Sequence, residues 1–236
     1  MKVKDIKNRV TLLNVAASLF MHIASVISAL IVPRLILETF GSSTNGLVSS
    51  ISQFLNYITL VEGGITGVIS ANLYKPLVDG DNEKLSSVLT TARSFYRKIG
   101  VLFIGYSVVL GVVYPFFVDT GYEYWYVFAL TLTLSIGLML QYMFSLTFTT
   151  LLNADKKVYI VAFTGTVLTI ANIILTLVVV NVYPDIIVLK FASAILFVLQ
   201  PIFYGLYINK HYNIYCNVDK DNSLIKQRWN GFAIND

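Results

Sequence analysis

Long apolar stretches separated by short charged segments dominate the hydrophobic pattern of this chain. Uncharged windows extend over residues 10–33, 99–118, 124–154, 158–184 and 191–209. Each can cross the roughly 30 Å hydrocarbon core of a bilayer as an α-helix. A further window, between residues 46 and 74, contains one acid, Glu62. The pattern therefore predicts six membrane-spanning helices, at about residues 10–33, 46–74, 99–118, 125–152, 158–182 and 187–209.

These spans predict an all-α integral membrane protein in which residues 1–209 form one six-span lobe. Residues 210–236 follow as a polar segment. The longest loop, 75–98, is charged and amphipathic, and we expect an interfacial helix there that leads into the third span. Aromatic residues crowd the turn between the third and fourth spans, as they do where a helix meets the membrane–water interface: Tyr114, Tyr122, Tyr124, Trp125 and Tyr126.

The positions of the basic residues predict the orientation. All 17 lysines and arginines except Arg34 and Lys190 fall in four alternate segments: the amino terminus, the loop after the second span, the loop after the fourth span and the carboxyl-terminal segment. Cytoplasmic loops carry such an excess of positive charge. We therefore expect both termini, including residues 210–236, to be cytoplasmic. The first apolar window is too long for a signal peptide and reads as a retained span.

Composition supports a membrane protein and narrows the function. Hydrophobic residues make up 56% of the chain and charged residues 13%, whereas soluble domains carry about 25% charged residues. The net charge of +4 is spread over short loops beside lipid headgroups, so we predict no nucleic-acid partner. The single cysteine, Cys216, cannot form an internal disulfide or a thiolate zinc site. With no phosphate-binding loop and no large soluble domain, we predict no enzyme activity, no cofactor and no metal.

Polar residues within the spans are the candidate chemistry, because polar groups in lipid face a bundle interior or a wet cavity. In the first span, Asn14 and His22 share a helical face with two serines. Small residues and hydroxyls have an alternative role in helix packing. The amides of Asn14, Gln53, Asn56 and Asn172 need several partners each, and lining a cavity is as compatible with the sequence as packing.

Four ionisable residues stand apart from the basic loops. Glu62 precedes two glycines and is either a carrier of protons or sodium ions or an acid near the interface. His22 lies near the middle of its span and either titrates or packs as a neutral side chain. Arg34 and Lys190 lie toward the predicted outer side. They either extend to the interface or bind an anionic ligand.

Several segments together resemble one family of membrane transporters. They are PRLILETFGSSTNGLVSSISQFLNYITLVEGGI (33–65), YKPLVDGDNEKL (74–85), ARSFYRKIG (92–100), QYMF (141–144), LLNADKKVYI (151–160) and KQRWNGF (226–232). In this order and placement they resemble the polysaccharide repeat-unit flippases, the Wzx-like branch of the multidrug/oligosaccharidyl-lipid/polysaccharide exporter superfamily. The resemblance covers nearly the whole chain.

The resemblance implies a carrier that moves undecaprenyl-diphosphate-linked oligosaccharide across a bacterial plasma membrane, for capsule, O-antigen or a similar polymer. It implies membrane lipid and polysaccharide polymerase or assembly proteins as partners. Under this interpretation Arg34 and Lys190 contact the diphosphate. Asn14, Gln53, Asn56 and Asn172 contact the sugars or the diphosphate, and Glu62 or His22 couples transport to an ion gradient.

The chain departs from the family in its number of spans. Members have twelve or more spans in two lobes, whereas six are predicted here, and residues 210–236 would lead to a seventh. The sequence is thus expected to be an amino-terminal lobe, either truncated, or paired with a second lobe or second copy, or inactive in transport; we favour truncation. The alternative function is that of a membrane scaffold that holds polysaccharide-assembly enzymes through its basic loops.

Overall fold

The computed structural model describes residues 2–62, 65–118 and 121–215, and the side chains of 8–60, 65–118 and 121–215. Every regular element in these ranges is a helix. The helices are α1 (Lys2–Asn56), α2 (Thr59–Glu62), α3 (Ile65–Asp79), α4 (Asn82–Phe117), α5 (Tyr124–Leu140), a π-helical turn (Gln141–Ser145), α6 (Leu146–Ala154), α7 (Val158–Val182) and α8 (Ile186–His211).

Five stretches of the described chain are helices long and apolar enough to cross a membrane: Asn8–Asn56, Asn82–Phe117, Tyr124–Ala154, Val158–Val182 and Ile186–His211. The last four contain the four predicted spans from 99–118 onward. The predicted loop 75–98 is mostly helical, because α3 continues to Asp79 and α4 begins at Asn82. The amphipathic part of that segment is the start of α4, which continues directly into the third predicted span; its position at the membrane interface stays a prediction.

The first two predicted spans are not separated by a loop, because α1 runs through the first and continues into the start of the second. Its helical geometry is interrupted only at Gly41, where φ is 83° and ψ is 171°. This combination of angles is accessible almost only to glycine, since a Cβ atom would clash with the backbone. Residues 2–40 and 42–56 are therefore two helical parts joined by one glycine with a positive φ angle.

The contacts of these two parts show that the chain reverses direction at Gly41. In the first part, Asn14 contacts the start of α7 and Met21 packs against Gly165 farther along it, so this part runs parallel to α7. In the second part, Thr44 bonds to Tyr122, beyond the end of α4. Phe54 lies against two tyrosines within α4. The second part thus runs antiparallel to α4.

The core of the bundle lies among the second part of α1, which buries Ile51 and Leu55, and α3, α4, α5, the π-helical turn, α6 and α8. Its largest fully buried side chains are Tyr96, Phe103, Tyr142 and Tyr204. The buried Tyr96 hydroxyl lies 2.8 Å from Thr66 Oγ1 and 3.3 Å from Thr150 Oγ1, and these contacts connect α3, α4 and α6. These hydrogen bonds give the hydroxyl groups the partners that neither lipid chains nor apolar core side chains could provide.

Aspartates begin two of the long helices. Asp81 Oδ1 accepts a hydrogen bond from the backbone N–H of Lys84 at the start of α4. Asp185 Oδ1 accepts from the N–H groups of Ile187 and Val188 at the start of α8. Such N-caps satisfy N–H groups that lack partners within the helix.

Candidate functional site

A compact polar cluster occupies the end of the bundle where α6 turns into α7. It consists of Asp155, Lys157 and Tyr212, and we call it the Asp155 cluster. Lys157 Nζ lies 2.7 Å from Asp155 Oδ2, and the Tyr212 hydroxyl donates to the same oxygen at 2.5 Å. Lys157 Nζ also donates to Tyr212 Oη at 3.1 Å and lies 4.5 Å from the centre of the tyrosine ring. The cluster joins this turn to the end of α8.

The environment of Tyr212 keeps its hydroxyl protonated. Burial raises the pKa of Tyr212 well above its ordinary value, and the hydrogen bond to Asp155 and the negative charge of that carboxylate raise it further. A neutral phenol is the donor that this geometry requires. The Asp155 side chain therefore receives hydrogen-bond donors from both Lys157 and Tyr212, and we interpret the cluster as a structural connection.

Asn14 extends this connection to α1. Its Nδ2 donates to the carbonyl of Lys156 at 2.7 Å, and its Oδ1 accepts from the N–H of Tyr159 at 2.9 Å. Lys157, the N-cap residue immediately before α7, makes no capping bond with its own side chain. Asn14 thus caps α7 from another helix. Both ends of its amide are engaged, so the predicted role in sugar binding competes with a structural role.

Arg34 forms an ion pair within α1. Its Nε donates to Glu38 Oε1 at 2.7 Å, four residues along the helix, and the two side chains are 78% and 57% exposed. The pair neutralises the charge of Arg34. An anionic ligand would have to displace Glu38 before it could bind the guanidinium.

Lys190 and Asn172 each carry a polar group without a partner among the described residues. Lys190 lies in the second turn of α8 and is half-buried, and no carboxylate of the described residues pairs with it. Asn172 lies in α7, and its Oδ1 is buried without a hydrogen-bond partner among the described atoms. In a membrane, both groups are costly to leave without partners. They are the two predicted contacts with the clearest need for a ligand.

The remaining predicted residues lie on exposed surfaces or outside the described side chains. Gln53 and Asn56 are exposed near the end of α1, and His22 is exposed in the first part of that helix. The backbone of Glu62 ends α2, but its side chain lies outside the described part of the structure. The described helix is interrupted earlier, at Tyr57 and Ile58 between α1 and α2, and the predicted break beside Glu62 lies outside the described residues.

Among the described side chains, the predicted residues are not connected to one another by hydrogen bonds or ion pairs. In this part of the chain, no such interaction joins any two of Asn14, His22, Arg34, Gln53, Asn56, Asn172 and Lys190. Asn14 and Arg34 already have partners, whereas Lys190 and the Asn172 carbonyl oxygen do not. The candidate site therefore consists of two side chains, Asn172 on α7 and Lys190 on α8.

Sequence reasoning missed two groups that the structure assembles. One is the Asp155 cluster, whose partners Asp155 and Tyr212 are far apart in sequence and carry no local motif. The other is a basic surface on α4 formed by Arg93, Arg97 and Lys98. The spacing of these three residues, i, i+4 and i+5, was a signal that they share one helical face.

The groups described above are polar and cationic side chains that can bind a ligand. No group of three His, Cys, Asp or Glu side chains in the described chain is placed to hold a metal ion. These binding groups are the half-buried Lys190, the buried amide oxygen of Asn172 and the basic surface on α4, all on helices long and apolar enough to cross a membrane. Comparison with protein-family models, with curated proteins and with solved structures finds no match for this chain.

Proposed function

We propose that this chain forms a six-span lobe of a carrier that moves lipid-linked oligosaccharide across a bacterial plasma membrane for cell-surface polysaccharide. The proposal joins the resemblance of the sequence to the repeat-unit flippases with one observation on the structure. That observation is Lys190, a half-buried cation without a carboxylate partner among the described residues, in an apolar helix.

The six-span topology is supported by the reversal at Gly41. The apolar stretch Asn8–Asn56 contains 49 residues, which is about 74 Å of helix and more than twice the hydrocarbon thickness of a bilayer. It cannot be a single crossing. We assign residues before Gly41 to the first span, and residues 42–56 with α2 and α3 to a second span that is interrupted at Tyr57 and Ile58.

Lys190 is the residue to which we assign the diphosphate. A cation in a membrane-spanning helix is retained where it pairs with an anion or serves transport. The diphosphate of a lipid-linked sugar supplies two phosphate groups for an ammonium ion. Arg34 has a secondary role, because Glu38 must release it first.

Asn172 is the residue to which we assign a sugar hydroxyl. Its buried Oδ1 accepts no hydrogen bond from the described residues, and an oligosaccharide presents many hydroxyl donors. Gln53 and Asn56 are exposed at the end of α1, beside the break in the second proposed span, and are retained as peripheral sugar contacts. Glu62 and His22 remain the proposed coupling groups.

The test is a charge-specific substitution at Lys190. We expect Lys190→Gln to lower polymer export by about tenfold or more, the equivalent of about 1.4 kcal/mol, and K190R to retain most of it. Export is measured by complementation of a flippase-deficient strain, with membrane abundance determined in parallel. The matched control is K210Q, which removes an exposed positive charge from the same helix.

Binding of polyprenyl diphosphate to the purified full chain separates transport from folding. K190Q should weaken this binding while leaving the melting temperature unchanged. Equal export and equal binding for K190Q and the unsubstituted chain would overturn the proposed role of Lys190. A chain that never restores export but still recruits polysaccharide-assembly enzymes would support the scaffold function instead.

A further inference from the structure

Three cations on α4 line a surface groove at the charged end of this helix. Arg93, Arg97 and Lys98, with Thr90 and Ser94, border a groove of about 540 Å³ that ends at Val101. Arg93 and Arg97 also border a second recess of about 390 Å³, whose other wall is Met143, Phe144 and Phe148. We call the two together the basic groove.

The cations of the basic groove lack acidic partners. All three side chains are exposed, and none forms an ion pair with a carboxylate of the described residues. Only Arg93 has a defined partner, because its guanidinium lies 5.7 Å from the centre of the Phe148 ring. The aromatic ring holds Arg93 over the recess but leaves its positive charge uncompensated. The groove therefore presents a concentrated positive charge to an outside anion.

An apolar cleft continues the basic groove along α4. Val101 borders both the groove and a cleft of about 610 Å³, whose walls also include Tyr57, Leu102, Gly105, Tyr106 and Val109. Val101 and Leu102 are 58% and 57% exposed, directly after the exposed Lys98. The surface of α4 thus changes from charged to apolar within one helical turn. Such a boundary matches the transition from lipid headgroups to acyl chains.

The length of this surface matches one leaflet of a bilayer. From Arg97 to Val109 the helix rises about 18 Å, at about 1.5 Å per residue. Half of the hydrocarbon core is about 15 Å thick. A lipid whose phosphate contacts Arg97 would therefore place one acyl chain along the whole cleft.

We propose that the basic groove and the apolar cleft together bind one anionic phospholipid of the surrounding leaflet. Arg93, Arg97 and Lys98 bind the phosphate, with Thr90 and Ser94 as hydroxyl donors, and one acyl chain lies over Val101 in the cleft. The walls of the cleft carry no amide side chains that would recognise an oligosaccharide. This favours a membrane phospholipid over the sugar-linked cargo assigned to Lys190.

The first experiment compares lipids on the purified full chain in neutral detergent. Phosphatidylglycerol should bind and raise the melting temperature, whereas phosphatidylcholine and inorganic diphosphate should do so weakly. The double variant R93Q/R97Q should lose about tenfold or more in phosphatidylglycerol affinity, because each basic residue near a membrane surface contributes to anionic-lipid binding. The matched control K75Q/K210Q removes two exposed charges elsewhere and should bind within about twofold of the unsubstituted chain.

A second variant tests the acyl-chain part without removing charge. Gly105→Leu should fold, because a Cβ atom at this position meets no heavy atom within 4 Å. The added side chain fills the cleft, so we expect G105L to weaken long-chain phosphatidylglycerol while leaving a short-chain phosphatidylglycerol unaffected. Melting temperatures without lipid verify that each variant is folded.

The outcomes that overturn this inference are distinct from those that overturn the proposed function. Equal losses in R93Q/R97Q and K75Q/K210Q would show only general charge attraction. Equal binding of phosphatidylglycerol and inorganic diphosphate would show a simple anion site. Tighter binding of polyprenyl diphosphate that is lost in R93Q/R97Q would assign the groove to the cargo. None of these results depends on Lys190.

Discussion

The helices α1 and α4 are both long and apolar, yet they are held in the bundle in different ways. In the most apolar window of α4, 33% of the residues are buried, whereas the corresponding share for α1 is 6%. Side chains such as Tyr96 and Phe103 place α4 in the core. The first part of α1 is held by Asn14, which caps α7, and by the packing of Met21 on Gly165.

The difference shows what determines helix position in a membrane bundle. Lipid chains are as apolar as leucine, so an exposed apolar side chain on α1 has no driving force to leave them. The first part of α1 is positioned by its packing along α7 and by the two hydrogen bonds of Asn14, whereas the second part buries Ile51 and Leu55 in the core. Damage to α4 should therefore affect the whole bundle, and damage to the first part of α1 should affect mainly its attachment to α7.

The largest effect is expected at the contact of α4 with the π-helical turn. A Cβ atom at Gly100 would lie 2.8 Å from Met143 Cγ, so Gly100→Val should lower the free energy of unfolding by about 3 kcal/mol. Thermal unfolding in detergent measures this. The control is the same substitution at Gly105, G105V, because a Cβ atom there meets no heavy atom within 4 Å. Equal losses for the two variants would mean that helix propensity, and not packing, determines the effect.

The next effect is expected at the reversal within α1. Gly41→Ala should cost about 2 kcal/mol, because alanine rarely adopts the angles found there. The control is G46A, a helical glycine in the same element with open space around it. Unfolding by heat, with crosslinking of cysteines placed at Thr44 and Tyr122, measures stability and the position of the second part. An unchanged G41A would show that the reversal does not depend on glycine.

A smaller and more local effect is expected for Asn14→Ala. The variant removes two hydrogen bonds between α1 and the start of α7, at about 0.5–1.5 kcal/mol each. Hydrogen exchange should increase in the first part of α1 and the first turn of α7, while α4 remains protected. Ser25→Ala, which removes a hydroxyl bonded only to its own helix, is the control. Increased exchange throughout α4 would contradict the proposed local attachment.

The smallest effect on stability is expected for Glu38→Gln. The Arg34–Glu38 pair is exposed, and exposed ion pairs contribute little to stability. The melting temperature should not change measurably. The free guanidinium should bind polyprenyl diphosphate more tightly, and R34Q/E38Q should lose that gain. A large fall in melting temperature would show that the pair attaches α1 to the bundle.

Hydrophobic pattern predicted the helices better than it predicted their connections. The windows from residue 99 onward correspond to α4, α5 with α6, α7 and α8, because length and apolarity are local properties of the sequence. The hydrophobic pattern predicts a loop between the first two spans, whereas in the structure the helix is interrupted at the single residue Gly41. Neither charge nor proline marks this position, and one glycine among 14 gives no local signal.

The candidate site was less predictable because its contacts are distant in sequence. The amide of Asn14 was correctly identified as needing partners, but those partners are backbone atoms more than 140 residues away. The Arg34–Glu38 pair has the helical i, i+4 spacing, which the sequence displays directly. The basic groove depends on Phe148, whose placement beside Arg93 requires the packing of two helices.

The π-helical turn Gln141–Ser145 has a consequence for how insertions and deletions can be tolerated. Successive residues of an α-helix differ by about 100° around its axis. Thr131 and Thr150 are both buried. In an unbroken α-helix, however, their side chains would point in directions that differ by one such step. A π-helical turn accommodates one extra residue and takes up that step. Removing one residue within 141–145 should therefore regularise the helix and leave both buried faces aligned. The same deletion within 132–138 would leave the π-helical turn in place and rotate its two flanks out of register.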